Sequence, residues 1–200
     1  MWSPWRVTAR THDLPPTGPS DLDRSLALVR ARFPTPPEVA LVLGSGLGTL
    51  ADAFEDAVAI DYAELPGLPT STVAGHRGRL VLGRFEGRVC AAMQGRVHLY
   101  EGHEPAAVVH GVRLMRRLGA HTLLVTNAAG GVRADLRPGD LMLITDHLNL
   151  TARTPLLGAN DDTLGPRFPD MGSAYEPALQ VIARTAAARL GMPLPEGVYA

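Results

Sequence analysis

Val89-Cys-Ala-Ala-Met-Gln-Gly-Arg-Val-His-Leu-Tyr-Glu-Gly-His103 is the stretch around which the rest of the chain arranges itself. It begins as an apolar run of strand character and ends in a burst of functional side chains. In extended backbone, residues two apart share a face. Arg96, His98 and Tyr100 then stand in a row on one side, with Val97 and Leu99 packed on the other. Gly95 and Gly102 bracket the row and allow a turn or a close backbone approach. Arginine offers a planar fork of donors suited to phosphate or carboxylate. Histidine can donate to the same anion, and tyrosine carries a hydroxyl on an apolar ring. Glu101 is placed to bond the far nitrogen of His98 and fix its tautomer. An edge strand with one solvated face shows the same alternation. Here the row follows a run too apolar to be exposed, which favours an anion site.

Working outward, Arg79–Phe85 is a strand that Glu86-Gly87 turns back into the central stretch as a β-hairpin. On the other side, Glu104-Pro105 opens a helix to about Leu118 that Gly119 ends. Val108, Val109, Val112 and Met115 supply its apolar face, and Arg113, Arg116 and Arg117 form a solvent-facing basic side. His121–Asn127 is a buried strand running into Ala128-Ala-Gly-Gly131, whose small residues leave room for a flat group and bare backbone donors. Asp140–Thr145 is a further strand ending at Asp146-His147, a pair read as tying down a strand end rather than as a metal or catalytic site. Residues 151–171 form a long irregular loop of the kind that is usually functional or packed on a partner. A helix follows to Leu190, with Leu179, Ile182, Ala183, Ala186 and Leu190 inward, and Glu196–Ala200 starts another strand.

Upstream of the hairpin, residues 1–19 are rich in Pro, Thr and Gly and read as a poorly ordered tail. Residues 20–200 then form a single domain. Ser20 or Asp21 caps a helix to about Phe33. Glu38–Leu43 is a buried strand entering Gly44-Ser-Gly-Leu-Gly48, followed by a helical segment Thr49–Phe54. Both an anion cradle and a ligand-free strand-to-helix turn fit that glycine loop. It is not a dinucleotide fingerprint, because Thr49 replaces the third glycine, and it lacks the lysine of a P-loop. Residues 61–69 read as loop. His76, between two glycines, is uninformative by itself.

Composition bounds the function. Two hundred residues with 46% hydrophobic and 20% charged content suit one ordinary globular domain. A net charge of −1 points away from nucleic acid and from anionic membrane as main partners. The single cysteine, Cys90, excludes an intrachain disulfide and a cysteine-based zinc cluster, and its apolar neighbours make it a buried thiol. No run of about 18 apolar residues suggests a membrane span, and the N-terminus lacks a secretory apolar core. A cytoplasmic protein is expected.

Six motifs carry the reading further: Gly44–Gly48, Ala74-Gly-His-Arg-Gly78, Gln94-Gly-Arg-Val-His-Leu-Tyr-Glu-Gly102, Thr126-Asn-Ala-Ala-Gly-Gly131, Asp146-His-Leu-Asn149 and Arg167-Phe-Pro-Asp-Met171. In order and spacing, from about residue 20 onward, they resemble the trimeric class of purine nucleoside phosphorylases. The resemblance implies an α/β fold with a mixed, partly barrel-like sheet flanked by helices, assembled as a homotrimer. It implies reversible phosphorolysis of purine nucleosides such as inosine and guanosine to free base and ribose 1-phosphate. Inorganic phosphate is the co-substrate, and neither metal nor organic cofactor is implied. Ser45, His76, Arg96, His98 and the backbone N–H of Ala128 would bind phosphate, with Arg96, His98 and Glu101 the catalytic group. Tyr100 would meet the ribose, Phe168 would cover the ribose of a neighbouring subunit, and Ala129 and Gly130 would line the purine. The family's purine-reading residues lie beyond the point matching Ala200, so the chain is expected to be an N-terminal portion of such an enzyme. Methylthioadenosine phosphorylase, on the same fold, and an inactive phosphate-binding module are the alternatives. The Ala74–Gly78 and Gln94–Gly102 motifs favour the nucleoside branch.

Overall fold

The computed structural model describes residues 19–44, 46–70 and 77–200. The expected tail, Ser45 and His76 lie outside the described residues, apart from Pro19 at the tail's end.

The first helix, α1 (Asp21–Arg32), starts at a capping box: Ser20 Oγ accepts the Asp23 N–H while Asp23 reaches back to the Ser20 N–H. Asp21 and Asp23 in the first turn and Arg30 and Arg32 in the last complement the helix dipole. β1 (Val39–Leu43) is buried almost throughout, as its unbroken apolar run requires of a strand covered on both faces. A 3-10 turn, Gly48–Ala53, follows the glycine loop. β2 (Glu55–Asp61) then forms an edge strand that sequence reading passes over, because only Ile60 is buried and a bulge near Asp56 breaks its alternation.

β3 (Arg79–Phe85) and β4 (Arg88–Gln94) form the expected hairpin, with positive φ at both turn residues, Glu86 and Gly87. The expected downstream helix is two pieces, α2 (Pro105–Val108) and α3 (His110–Leu118), broken at Val109. The buried face of α3 is Gly111, Leu114, Met115 and Leu118 rather than the valines. Its arginines are not merely solvated: Arg117 pairs with Asp23 at 3.1 Å, and Arg113 donates to the Pro155 carbonyl at 3.3 Å. β5 (Thr122–Val125) pairs with β1, and β6 (Leu143–His147) pairs with β7 (Glu196–Tyr199), in parallel. α4 (Pro177–Arg189) lies beside β6. No helix among the described residues is long and apolar enough to cross a membrane.

The main sheet runs β2-β3-β4-β1-β5 and is mixed: β1 is parallel to β4 and β5, while β2, β3 and β4 are antiparallel in turn. Side chains alternate across it. Ala40, Val42, Leu80, Leu82, Ala91 and Met93 face α1 and α3, packing on Leu22, Leu26, Val29, Leu114, Met115 and Leu118. Leu41, Leu43, Val81, Cys90 and Ala92 face the other way, onto Ala51 and Phe54. The mixed, helix-flanked sheet is the one expected. Within the described residues it is an open sheet ending at β2 and β5, with β6 and β7 a separate pair, rather than a closed barrel.

Two burial expectations are corrected. β5 is exposed at Leu123, Leu124 and Val125, because among the described residues its main packing partner is β1 beside it and little covers either of its faces. α4 turns Gln180, Ala183 and Ala187 inward, whereas Leu179, Ile182 and Leu190 are exposed. Its apolar stripe is wider than the one strand, β6, that it packs against.

Candidate functional site

Three neighbouring strands, β4, β1 and β5, run parallel, so their C-terminal ends open on the same side of the sheet. Leu43 stands opposite Gln94, and Val42 opposite Val125. The chain leaves β1 into the glycine loop, β4 into Gly95-Arg96, and β5 into Thr126-Asn127-Ala128. Topology alone therefore gathers Gly44 at the start of the glycine loop, the arginine and the Ala128 backbone at one edge, where open α/β sheets bind ligands. Residues about 30 to 80 apart in sequence become neighbours.

Short hydrogen bonds hold the three exits together. The Gly44 N–H donates to Thr126 Oγ1 at 2.8 Å, and that hydroxyl donates to the Val42 carbonyl at 3.1 Å. Arg96 Nη1 donates to the Thr126 carbonyl at 2.6 Å. Gly95, with φ +97°, swings the chain out of β4, and its carbonyl accepts the buried Tyr62 hydroxyl at 2.6 Å. Burial holds the Tyr62 phenol far above its ordinary pKa, so it stays a donor.

The expected extended row is corrected here. His98 is extended, but Leu99–Glu101 closes a single 3-10 turn that ends at Gly102 in the left-handed region. The cause is local: the Glu101 carboxylate accepts the His98 backbone N–H at 2.7 Å and pulls the chain round. Glu101 thus fixes the backbone of His98. The turn still leaves the His98 and Tyr100 rings on one side, stacked with centroids 4.7 Å apart. Tyr100 is 75% exposed, Val97 is buried, and Arg96 and His98 are half-buried. Ala128, Ala129 and Gly130 are exposed at the mouth. Phe168 is 87% exposed in the long irregular segment, with the Arg167 guanidinium 5.7 Å from its ring centroid.

Sequence reading missed the layer beneath. Gln94 closes an apolar run and is only 2% exposed. A buried amide needs partners, and it has three: it accepts Arg79 Nε at 2.5 Å and donates to the Gly48 carbonyl at 2.5 Å and to Asp52 Oδ1 at 3.1 Å. Asp52 also pairs with Arg77 at 2.7 Å and Arg79 at 3.1 Å. The Gln94 amide first, and then the two arginines, hold Asp52 below the usual carboxylate range. The far end of the glycine loop is thereby pinned to the hairpin. The available signal was one polar residue at the end of an otherwise apolar strand. Asp146 and His147 lie within β6, where Asp146 accepts the His147 N–H at 2.8 Å and the His147 ring meets Tyr175 edge-on. Among the described residues, no three His, Cys, Asp or Glu side chains converge as a metal site.

A glycine loop, an arginine and bare backbone gathered at the ends of three parallel strands mark an α/β protein with the strand-end crevice in which open sheets of this kind hold ligands. Residues 38–200 match the phosphorylase superfamily, and the chain belongs to that family. It is 48% identical over 178 residues to purine nucleoside phosphorylase 1 of Geobacillus stearothermophilus, covering 89% of this chain and 65% of that one. It is 47% identical over 168 residues to the purine nucleoside phosphorylase of Mus musculus, covering 82% and 58%. Isoform 2 of the Schistosoma mansoni enzyme, solved with cytosine and ribose-1-phosphate, superposes with a TM-score of 0.84 at 39% identity, covering 90% of this chain and 65% of its own. The chain thus spans about 65% or less of the length of these relatives.

Proposed function

We propose that the chain carries the phosphate-binding half of a purine nucleoside phosphorylase, which cleaves inosine-type nucleosides with inorganic phosphate to free base and ribose 1-phosphate. The observation that carries the proposal is the convergence of Arg96, the glycine loop and the Ala128 backbone at three parallel strand ends. The relatives' shared name and the ribose-1-phosphate held by the Schistosoma enzyme support the same reading. Arg96, with Ser45, His76, His98 and the Ala128 N–H, holds the phosphate dianion. Tyr100 meets the ribose, and Ala129 and Gly130 line the base. Glu101 fixes His98. As the glycosidic bond breaks, the sugar gains oxocarbenium character, and a pre-positioned dianion beside it stabilises that charge. The reaction proceeds without metal or organic cofactor, in the cytoplasm, in a homotrimer whose Phe168 reaches the next subunit's ribose.

The test is inosine cleavage by this chain with and without inorganic phosphate, alongside calorimetric titration of phosphate. Phosphate-dependent release of hypoxanthine supports the full proposal. Phosphate binding without turnover supports the phosphate-binding half alone. Absence of both removes the proposal.

A further inference from the structure

We propose that Thr126 is the positioning residue of the anion site: its hydroxyl ties the exit of β5 to that of β1, and its backbone carbonyl holds Arg96 at the exit of β4. The inference rests on the phosphate-binding reading above. Its hydroxyl takes the Gly44 N–H at 2.8 Å and gives its own proton to the Val42 carbonyl at 3.1 Å. Both groups belong to β1 or to the first step out of it. Its backbone N–H also donates to Val42, at 3.0 Å. Its carbonyl takes Arg96 Nη1 at 2.6 Å, from the exit of β4. Thr126 itself is the first residue out of β5, two before Ala128.

The chemistry of each bond matters. A hydroxyl can accept from one neighbour and donate to another in the same geometry, which neither a methyl nor a carboxylate can do. The bond that Arg96 donates to a neutral carbonyl orients the guanidinium and brings no second charge to the site. The seam is also tight. A Cβ on Gly44 would lie 2.7 Å from the Thr126 carbonyl oxygen, so only glycine lets the two backbones approach this closely. A shift of Thr126 therefore moves the start of the glycine loop, the arginine and the Ala128 N–H together, and these are the groups that must converge on one phosphate. No charge of its own is needed for that role.

The experiment compares the wild-type chain with Thr126→Val, which keeps the branched shape and loses the hydroxyl, and Thr126→Ser, which keeps the hydroxyl. Three quantities are read: hydrogen exchange at the Gly44 amide, the affinity for inorganic phosphate, and the phosphate and inosine KM against kcat. Thr126→Val is expected to speed Gly44 exchange and to weaken phosphate, in affinity and KM, by about fivefold, the size of one net hydrogen bond, with inosine KM little changed. Thr126→Ser should restore both. Gly44→Ala strains the same seam from the other side and should raise phosphate KM in the same direction, which keeps the test open if Thr126→Val folds poorly. A lower melting temperature with unchanged phosphate affinity in every variant would mean a structural role only and would overturn the inference. A wild-type chain that neither binds phosphate nor cleaves inosine overturns the functional reading, and this inference with it.

Discussion

Replacing Tyr62 by phenylalanine removes one oxygen atom from beneath the site. Tyr62 is 1% exposed, and its hydroxyl donates to the Gly95 carbonyl, which is itself buried. Phenylalanine fills the same space but leaves that carbonyl without its donor, a loss of about 1–3 kcal/mol. At the middle of that range, about 2 kcal/mol, a domain of this size should melt about 4–8 °C lower. The pH dependence gives a sharper signature. The folded-state pKa of Tyr62 is raised by burial, so its contribution is fully present below the unfolded phenol value of about 10 and is lost as pH rises beyond it. Above that point the wild type should lose about 1.4 kcal/mol per pH unit through this residue, and Tyr62→Phe should lose none of it. All nineteen cationic side chains are arginine, so no lysine titration obscures the window. Urea unfolding of both proteins from neutral to alkaline pH should show the stability gap shrinking and closing about 1.5 pH units above the phenol value. Curves that stay parallel, or a variant as stable as the wild type at neutral pH, would refute the assigned hydrogen bond and burial.

Arg96→Ala should weaken inorganic phosphate by about 1.5–3 kcal/mol, the value of a charge-assisted pair, and Arg96→Lys should recover part of it. Unchanged phosphate saturation by calorimetry would remove Arg96 from the site. Phe168→Ala should raise the nucleoside KM without altering phosphate affinity, and sedimentation should show a trimer. A monomer with full activity excludes a cross-subunit role. Asp52 has its folded pKa lowered by Gln94 and its arginines, so its contribution is present above the ordinary carboxylate value and is lost as pH falls below that value and through the lowered folded one. Asp52→Asn should therefore flatten the acid limb of the stability curve, and superimposable limbs would show that the cluster contributes nothing.

The parts legible in the sequence were those decided by neighbours along the chain. The Arg79–Gln94 hairpin was readable because alternation on both sides meets a turn at Glu86-Gly87. The Ser20–Asp23 capping box marked the start of α1. The apolar run 39–43 marked a buried strand, and the motifs around Gly44, Arg96 and Ala128 named the family. β2 was not legible, because a bulged edge strand with one buried residue carries almost no periodic signal. The inward face of α4 is not legible either, because apolar spacing gives the width of a stripe and not what covers it. The row from Arg96 to Tyr100 looks like strand in the sequence because alternation cannot show a side chain such as Glu101 bonding back to the backbone.

The sequence by itself determined which groups this protein possesses: a glycine loop, an arginine, an imidazole, a phenol and a bare backbone segment, each beside the strand that delivers it. Only the tertiary structure decided that they meet. Parallel pairing of β1 with both β4 and β5 places three exits at one edge, and that pairing joins segments about 30 to 80 residues apart. The side chains that hold the exits together, Thr126, Tyr62 and Gln94, look ordinary in the chain because each bonds a backbone group far away in sequence. A hydroxyl or amide acquires its role from the buried donor or acceptor it satisfies, and that partner exists only once the sheet has formed.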